Sequence, residues 1–204
     1  MDRLPTLIVR SAGAFAALCG LVVGGCEEGS AVAPGSGRVV AVTQDRGAGP
    51  DLAAFCDVRP GAGDARPFAL PPTDRSPPAG QGRWRWVNVW ATWCQPCIEE
   101  MPLLVEWQRR FAAEGRDVDL IFLSVDEDPE VVARFRGSHP GTPETLRLTD
   151  PAALEGWITG LGLDRGATLP INAFADPQGH LRCARSGAVS ASDSAAVSVL
   201  LAQP

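Results

Sequence analysis

The chain has no lysine: all 18 of its basic residues are arginine, set against 24 acidic residues, for a formal net charge of -6. Without a cluster of positive charge, it cannot supply the phosphate contacts on which nucleic-acid binding depends. No nucleic-acid partner is expected. Histidine is scarce as well, and both His139 and His180 fall in segments that read as loops. No internal repeat is visible. The N-terminal apolar run SAGAFAALCGLVVGG is shorter than the roughly 20 residues a helix needs to span a bilayer.

What is present is one ordinary globular domain with extras: 204 residues, 45% hydrophobic and 21% charged. The N-terminus has the layout of an export signal, with Arg3 and Arg10 ahead of the apolar run. The run ends in Val23-Gly24-Gly25-Cys26, which resembles the bacterial lipobox, where small residues precede a Cys that becomes a lipidated N-terminus. Cys19 fits less well because bulky Leu18 precedes it, and Glu27 brings no inner-membrane retention Asp. The competing reading is an ordinary cleaved signal, or an uncleaved anchor with an incidental Cys. The expected division is a lipoprotein signal peptide over 1–25, a flexible Gly/Ala/Ser/Pro-rich tether over 26–51 and a folded domain over 52–204.

From Trp84 the pattern becomes regular. Trp84 to Trp90 and Val118 to Val125 read as buried strands, and Pro96 to about Glu114 as a helix with Met101, Leu104, Trp107 and Phe111 on one face. This strand-helix-strand unit predicts a parallel pairing with a right-handed crossover. Asp128-Pro129 and Asp150-Pro151 each predict a capped helix start. Within the run Asp126, Glu127, Asp128, a cap plus solvated charges is favoured over a metal site. Ile171 to Ala175 and Leu181 to Arg185 flank the turn Asp176-Pro177-Gln178-Gly179 and predict an antiparallel hairpin, followed by a closing helix over Ser192 to Leu201. The Pro-rich entry allows one short edge strand around Phe68 to Leu70.

Cys94 and Cys97 flank Gln95-Pro96 just past the first strand. Active groups in open α/β sheets gather at the carboxyl ends of strands, and unpaired amides at a helix start favour an anion there. A thiol that ordinarily titrates near about 8.5 is lowered by such a setting, which makes Cys94 the expected nucleophile and Cys97, one turn along, the expected resolver. Three other uses of the pair remain open. Zinc needs four ligands, and neither Cys56 nor Cys183 brings a second Cys-x-x-Cys. A purely structural bond closing so short a loop stabilises little. Soft thiolates also take up Cu(I), so a copper-handling or redox-sensing module is the competing function. Cys56 and Cys183 are left over, and in an exported protein this predicts a second disulfide. It would close a loop of about 130 residues and pin the N-terminal segment to the sheet, unless one of these thiols relays electrons instead.

The set Trp93-Cys94-Gln95-Pro96-Cys97, with Asn88 in the preceding strand, Pro102 five residues after the second Cys and Pro170 before a late strand, resembles the thioredoxin-like superfamily, specifically the exported TlpA/ResA-like thiol-disulfide oxidoreductases. The likeness covers roughly residues 52 to 204. It implies an α/β thioredoxin fold: a central mixed sheet flanked by helices, with an N-terminal strand extension. It also implies attack by Cys94, resolution by Cys97, a helix kink at Pro102 and a cis Pro170 facing the cysteines. Glu100 matches an acidic residue near the pair and would relay a proton; its competing role is to favour the helix start. Trp93, Gln95, Pro96, Leu169 and Pro170 would hold substrate, and no cofactor beyond the cysteine pair and no metal is expected. The implied partners are disulfide-containing exported proteins and a membrane thiol reductant, with attachment through lipid on Cys26, facing the periplasm of a bacterial cell envelope. Ile171, where relatives often carry Thr, and Arg165-Gly166-Ala167 depart from the pattern and bear on substrate preference.

Overall fold

The computed structural model describes residues 49–203 except positions 62 and 81. The expected leader, Cys26 and nearly all of the tether lie outside the described residues. The elements in chain order are α1 (Leu52–Phe55), β1 (Trp84–Trp90), α2 (Gln95–Ala113), β2 (Val118–Ser124), α3 (Pro129–Ser138), β3 (Thr145–Arg147), α4 (Pro151–Gly160), β4 (Ile171–Ala175), β5 (Leu181–Ser186) and α5 (Ser194–Leu201), with a 3-10 turn, Ala191–Asp193, before α5. Among the described residues, no helix is long and apolar enough to cross a membrane.

The sheet order is β3-β2-β1-β4-β5. Aromatic and β-branched residues fill β1, and it takes the centre, parallel to β2 and antiparallel to β4. Side chains alternate along a strand, so Trp86, Asn88 and Trp90 face one side while Val87 and Val89 face the other. The first side packs with Leu104, Trp107 and Phe111 of α2, Val132 of α3, and Val197 and Leu200 of α5. The second packs with Ile158 of α4 and with Leu161, Leu163 and Phe68. Helices therefore cover both faces, and the mixed α/β architecture is as expected.

Both Asp-Pro starts form as predicted. Asp128 accepts from Glu130 N at 2.8 Å, and Asp150 from Ala152 N at 3.0 Å. The hairpin forms too, with Asp176 buried in its turn. Burial opposes charge on this carboxyl, but the His180 amide and the Arg182 guanidinium, 2.6 Å away, outweigh it and hold the group below the usual carboxylate range.

The structure departs from the sequence expectation in four places. No continuous strand forms at Phe68 to Leu70. Instead the segment meets the sheet through single bridges, Val58 with Ala184, Pro67 with His180 and Thr73 with Leu148, because Pro67, Pro71 and Pro72 have no N–H to give a ladder. Strand β3, three residues long, was not foreseen, and neither was the single turn α1. Asp126 is not solvated: it is buried and accepts from the Thr92 amide at 2.9 Å, the Thr92 hydroxyl at 2.8 Å and the Ser124 hydroxyl at 2.8 Å, while Glu127 is exposed and Asp128 caps α3.

Cys56 at the end of α1 is bonded to Cys183 on β5, across a sequence separation of 127. Both sulfurs' residues are buried in the cluster that holds Phe55, Phe174 and Val197. Cross-linking so long a loop restricts the unfolded chain by about 5 kcal/mol in the chain-entropy account. The Cys56→Ala/Cys183→Ala double variant is expected to lose stability on the order of 4 kcal/mol in urea unfolding under oxidising conditions. A midpoint matching the unsubstituted protein would show that this bond contributes nothing.

Candidate active site

β1 ends at Trp90, and four residues later Cys94 occupies the N-cap of α2 in extended conformation, φ -90 and ψ 94, with no side-chain cap hydrogen bond. The turn is fixed from two sides: the Cys94 amide donates to Ala91 O at 3.0 Å, and buried Asp126 grips Thr92. Pro96, in the first turn, has no N–H, so the Cys97 amide is the donor in reach of an anionic sulfur at the cap. The helix dipole adds to that preference for negative charge. The two cysteines are joined in a disulfide with Cα atoms 5.3 Å apart. They are not equivalent: Cys97 is fully enclosed, whereas Cys94 lines an open groove.

One wall of that groove is Trp93, Cys94, Gln95 and Pro96; the other is Ala167, Thr168 and Leu169. Trp93 is 72% exposed, although most large hydrophobic side chains among the described residues are covered. The Leu169-Pro170 bond is cis, and Pro170 O accepts from Gly187 N at 2.8 Å, tying this loop to the end of β5. Ser186 holds Thr168 at both backbone groups, accepting from its N–H at 2.9 Å and donating to its carbonyl at 3.0 Å. Of the residues predicted to hold substrate, Trp93, Gln95, Pro96 and Leu169 line the groove, while Pro170 is buried beside it.

Glu100 lies one turn after Cys97 on the same helix face, and only 3% of it is exposed. Its Oε1 accepts from Asn88 Nδ2 at 2.6 Å and its Oε2 from the Val189 amide at 2.7 Å. Burial pushes the carboxyl up to about 7, against the hydrogen bonds from Val189 and Asn88, the nearby Asn172 amide and the charge of Arg185, all of which pull it down. Pro102 lies inside α2, where its ring removes the bond to the carbonyl four residues back. Among the described residues, no three His, Cys, Asp or Glu side chains gather as a metal-binding set.

Sequence reasoning missed Asn172. It stands directly across from Asn88 in the β1/β4 register and accepts from Asn88 Nδ2 at 3.1 Å and from the Trp86 indole N–H at 2.8 Å. An Asn inside the otherwise apolar stretch INAFA was the available signal.

A mixed five-stranded sheet, helices on both faces, a Cys-x-x-Cys disulfide opening the first long helix and a cis-proline loop across the groove define a thioredoxin-fold protein. No family model matches the chain. Over 101 residues it is 25% identical to the thiol-disulfide oxidoreductase ResA of Bacillus subtilis (strain 168), covering 50% of this chain and 51% of that one. It is 36% identical over 101 residues to ResA of Bacillus thuringiensis (strain Al Hakam), covering 50% and 53%, and 32% identical over 75 residues to the thioredoxin-like protein YneN of Bacillus subtilis (strain 168), covering 37% and 40%. The chain thus spans about half the length of the curated relatives it matches. The crystal structure of a thiol:disulfide interchange protein of the thioredoxin family from Chlorobium tepidum TLS shares the fold, at a TM-score of 0.50 and 24% identity over 68% of this chain and 99% of that one. The chain is thus similar in sequence to ResA-like thiol-disulfide oxidoreductases over half its length and shares the thioredoxin fold.

A carboxyl raised from 4.5 to about 7 by folding makes its ionised form a burden on the native state. Its contribution to stability is complete below about pH 4.5, is lost as pH rises towards 7, and reaches about 3 kcal/mol in total. In the oxidised protein, where the bonded cysteines do not titrate, Glu100→Gln is expected to flatten stability against pH across this window, as read by urea midpoints. A variant that keeps the wild-type slope would show that Glu100 does not carry it.

Proposed function

We propose that the protein is a thiol-disulfide oxidoreductase acting on disulfides of exported proteins. The observation that carries this reading is the asymmetry of the pair: Cys94 faces an open groove at a helix start, while Cys97 is enclosed behind it. The Cys94 thiolate attacks one sulfur of a substrate disulfide, forming a mixed disulfide and releasing one substrate thiolate. The Cys97 thiolate then attacks Cys94 Sγ, closes the Cys94–Cys97 bond and releases the second. Two electrons pass to the substrate, and the two released thiolates take up protons.

Glu100 serves the second step. A carboxylate near pH 7 matches neutral conditions and accepts the proton that Cys97 gives up before it attacks. Trp93 offers an exposed apolar plane to the substrate chain, and Gln95, Pro96 and Leu169 complete the contact, with Pro170 shaping the loop behind them. The resemblance supports a membrane thiol reductant as the source of electrons and the reducing direction. The Val23-Gly24-Gly25-Cys26 motif supports a lipid anchor on Cys26 and a place facing the periplasm of a bacterial cell envelope.

Insulin-disulfide reduction with dithiothreitol tests the reading. Cys94→Ser is expected to fall to the uncatalysed rate, Cys97→Ala to accumulate a mixed disulfide on Cys94, and Glu100→Gln to slow turnover roughly 10²-fold near neutral pH. An inactive wild type that instead binds Cu(I) tightly through both thiols would replace the enzyme with a copper-handling module. The potential of the pair gives direction: near about -270 mV marks a reductant and near about -120 mV an oxidant.

A further inference from the structure

Beneath the cysteine pair runs a buried line of polar side chains, Trp86, Asn172, Asn88 and Glu100, in which every residue is 3% exposed or less. It is made by strand register: Asn88 and Asn172 are opposite partners in β1 and β4, and Trp86 lies two residues before Asn88 on the same face. The links are 2.8 Å from Trp86 Nε1 to Asn172 Oδ1, 3.1 Å from Asn88 Nδ2 to the same oxygen, and 2.6 Å from Asn88 Nδ2 to Glu100 Oε1.

An indole N–H can only donate, so the atom Asn172 turns towards Trp86 must be its oxygen. That oxygen also faces Asn88, which must therefore turn its NH2 group inward, and the second hydrogen of this group meets Glu100. The order leaves Asn88 Oδ1 and Asn172 Nδ2 without partners, an arrangement each amide could relieve by rotating if its neighbours permitted.

We infer that Trp86 and Asn172 are positioning residues for Glu100: the indole fixes the amide of Asn172, and through it that of Asn88, so that Glu100 meets a donor and not an acceptor. Turning both amides over would present Asn88 Oδ1 to Glu100, which suits a protonated carboxyl, but it would also set the Asn172 NH2 against the indole N–H. The Val189 amide occupies the other oxygen of Glu100, so donors engage both oxygens from the sheet side. A proton arriving on Glu100 finds no acceptor in Asn88 or Val189, which keeps the carboxylate available to the thiol one turn back on α2. The charged group that reaches Glu100 from the packed elements is Arg185 on β5, which favours the carboxylate; α2 adds the Cys97 thiol in the reduced state, and β1 and β4 add only amides.

This inference rests on the proposed proton-relay role of Glu100 for its consequence in turnover, but it is tested apart from turnover. In the oxidised protein with 13C-labelled glutamate side chains, the Glu100 carboxyl is titrated by NMR in the wild type and in Trp86→Phe, which keeps an aromatic ring and removes the donor. The expected result is a midpoint raised by roughly one pH unit or more, tenfold in proton affinity; an unmoved or lowered midpoint overturns the inference. If Trp86→Phe does not fold, the wild type alone decides. The Trp86 indole proton resonance is expected to shift with the Glu100 midpoint and to stop shifting in Glu100→Gln, and an indole resonance indifferent to that titration overturns the inference equally. Neither Cys94 nor Cys97 titrates in these samples, so a failed positioning role leaves the relay role to the turnover profile of Glu100→Gln, and a failed relay role leaves the positioning role standing.

Discussion

Glu100 is a carboxylate held out of water with one N–H donor on each oxygen, and those two donors come from different parts of the chain, Asn88 in β1 and Val189 after β5. A buried acid without partners would cost several kcal/mol and would either take up a proton or expel the helix that carries it. Meeting both donors fixes the rotation and height of α2 against the sheet. Because Cys94 and Cys97 open that same helix, the constraint that settles the acid also settles the cysteines.

The rest of the fold supplies the frame for this contact. β1 is covered on both faces, so its end is a fixed point from which Cys94 projects, and Asp126 at the end of β2 clamps Thr92 in the intervening turn. Opposite, the Leu169-Pro170 loop is held by Gly187 and Ser186 at the end of β5. The groove is thus built from three strand ends. Its walls are short loops tied down on both sides, and Trp93 stands open to solvent on one of them.

Much of this was legible in the sequence because the relevant signals are local. A Trp- and Val-rich run followed by Cys-x-x-Cys and a 3.6-residue apolar repeat gives strand, site and helix together, and the two Asp-Pro pairs mark helix starts with no tertiary help. The missed features depend on long-range register. Asn172 matters because it stands opposite Asn88, 84 positions away, and nothing in INAFA announces which strand it will face. Asp126 reads like its solvated neighbours until the turn before Cys94 folds over it. β3 is three residues whose pairing with β2 is set by the neighbour and not by their own pattern.

The proline-rich strap between α1 and β1 reaches both rims of the sheet. On the β5 rim the N–H groups of Leu181 and Ala184 donate to Arg66 and Val58, and that of Ser186 donates to Asp57; past the β3 rim, Thr149 N donates to Pro72 O, and Arg147 N to the Asp74 side chain. An open sheet ordinarily offers such rows to any extended chain, whether as a route to aggregation or as a way to add a strand. With both rims occupied from within the same molecule, the described residues leave an extended polypeptide little open ladder to join along either rim.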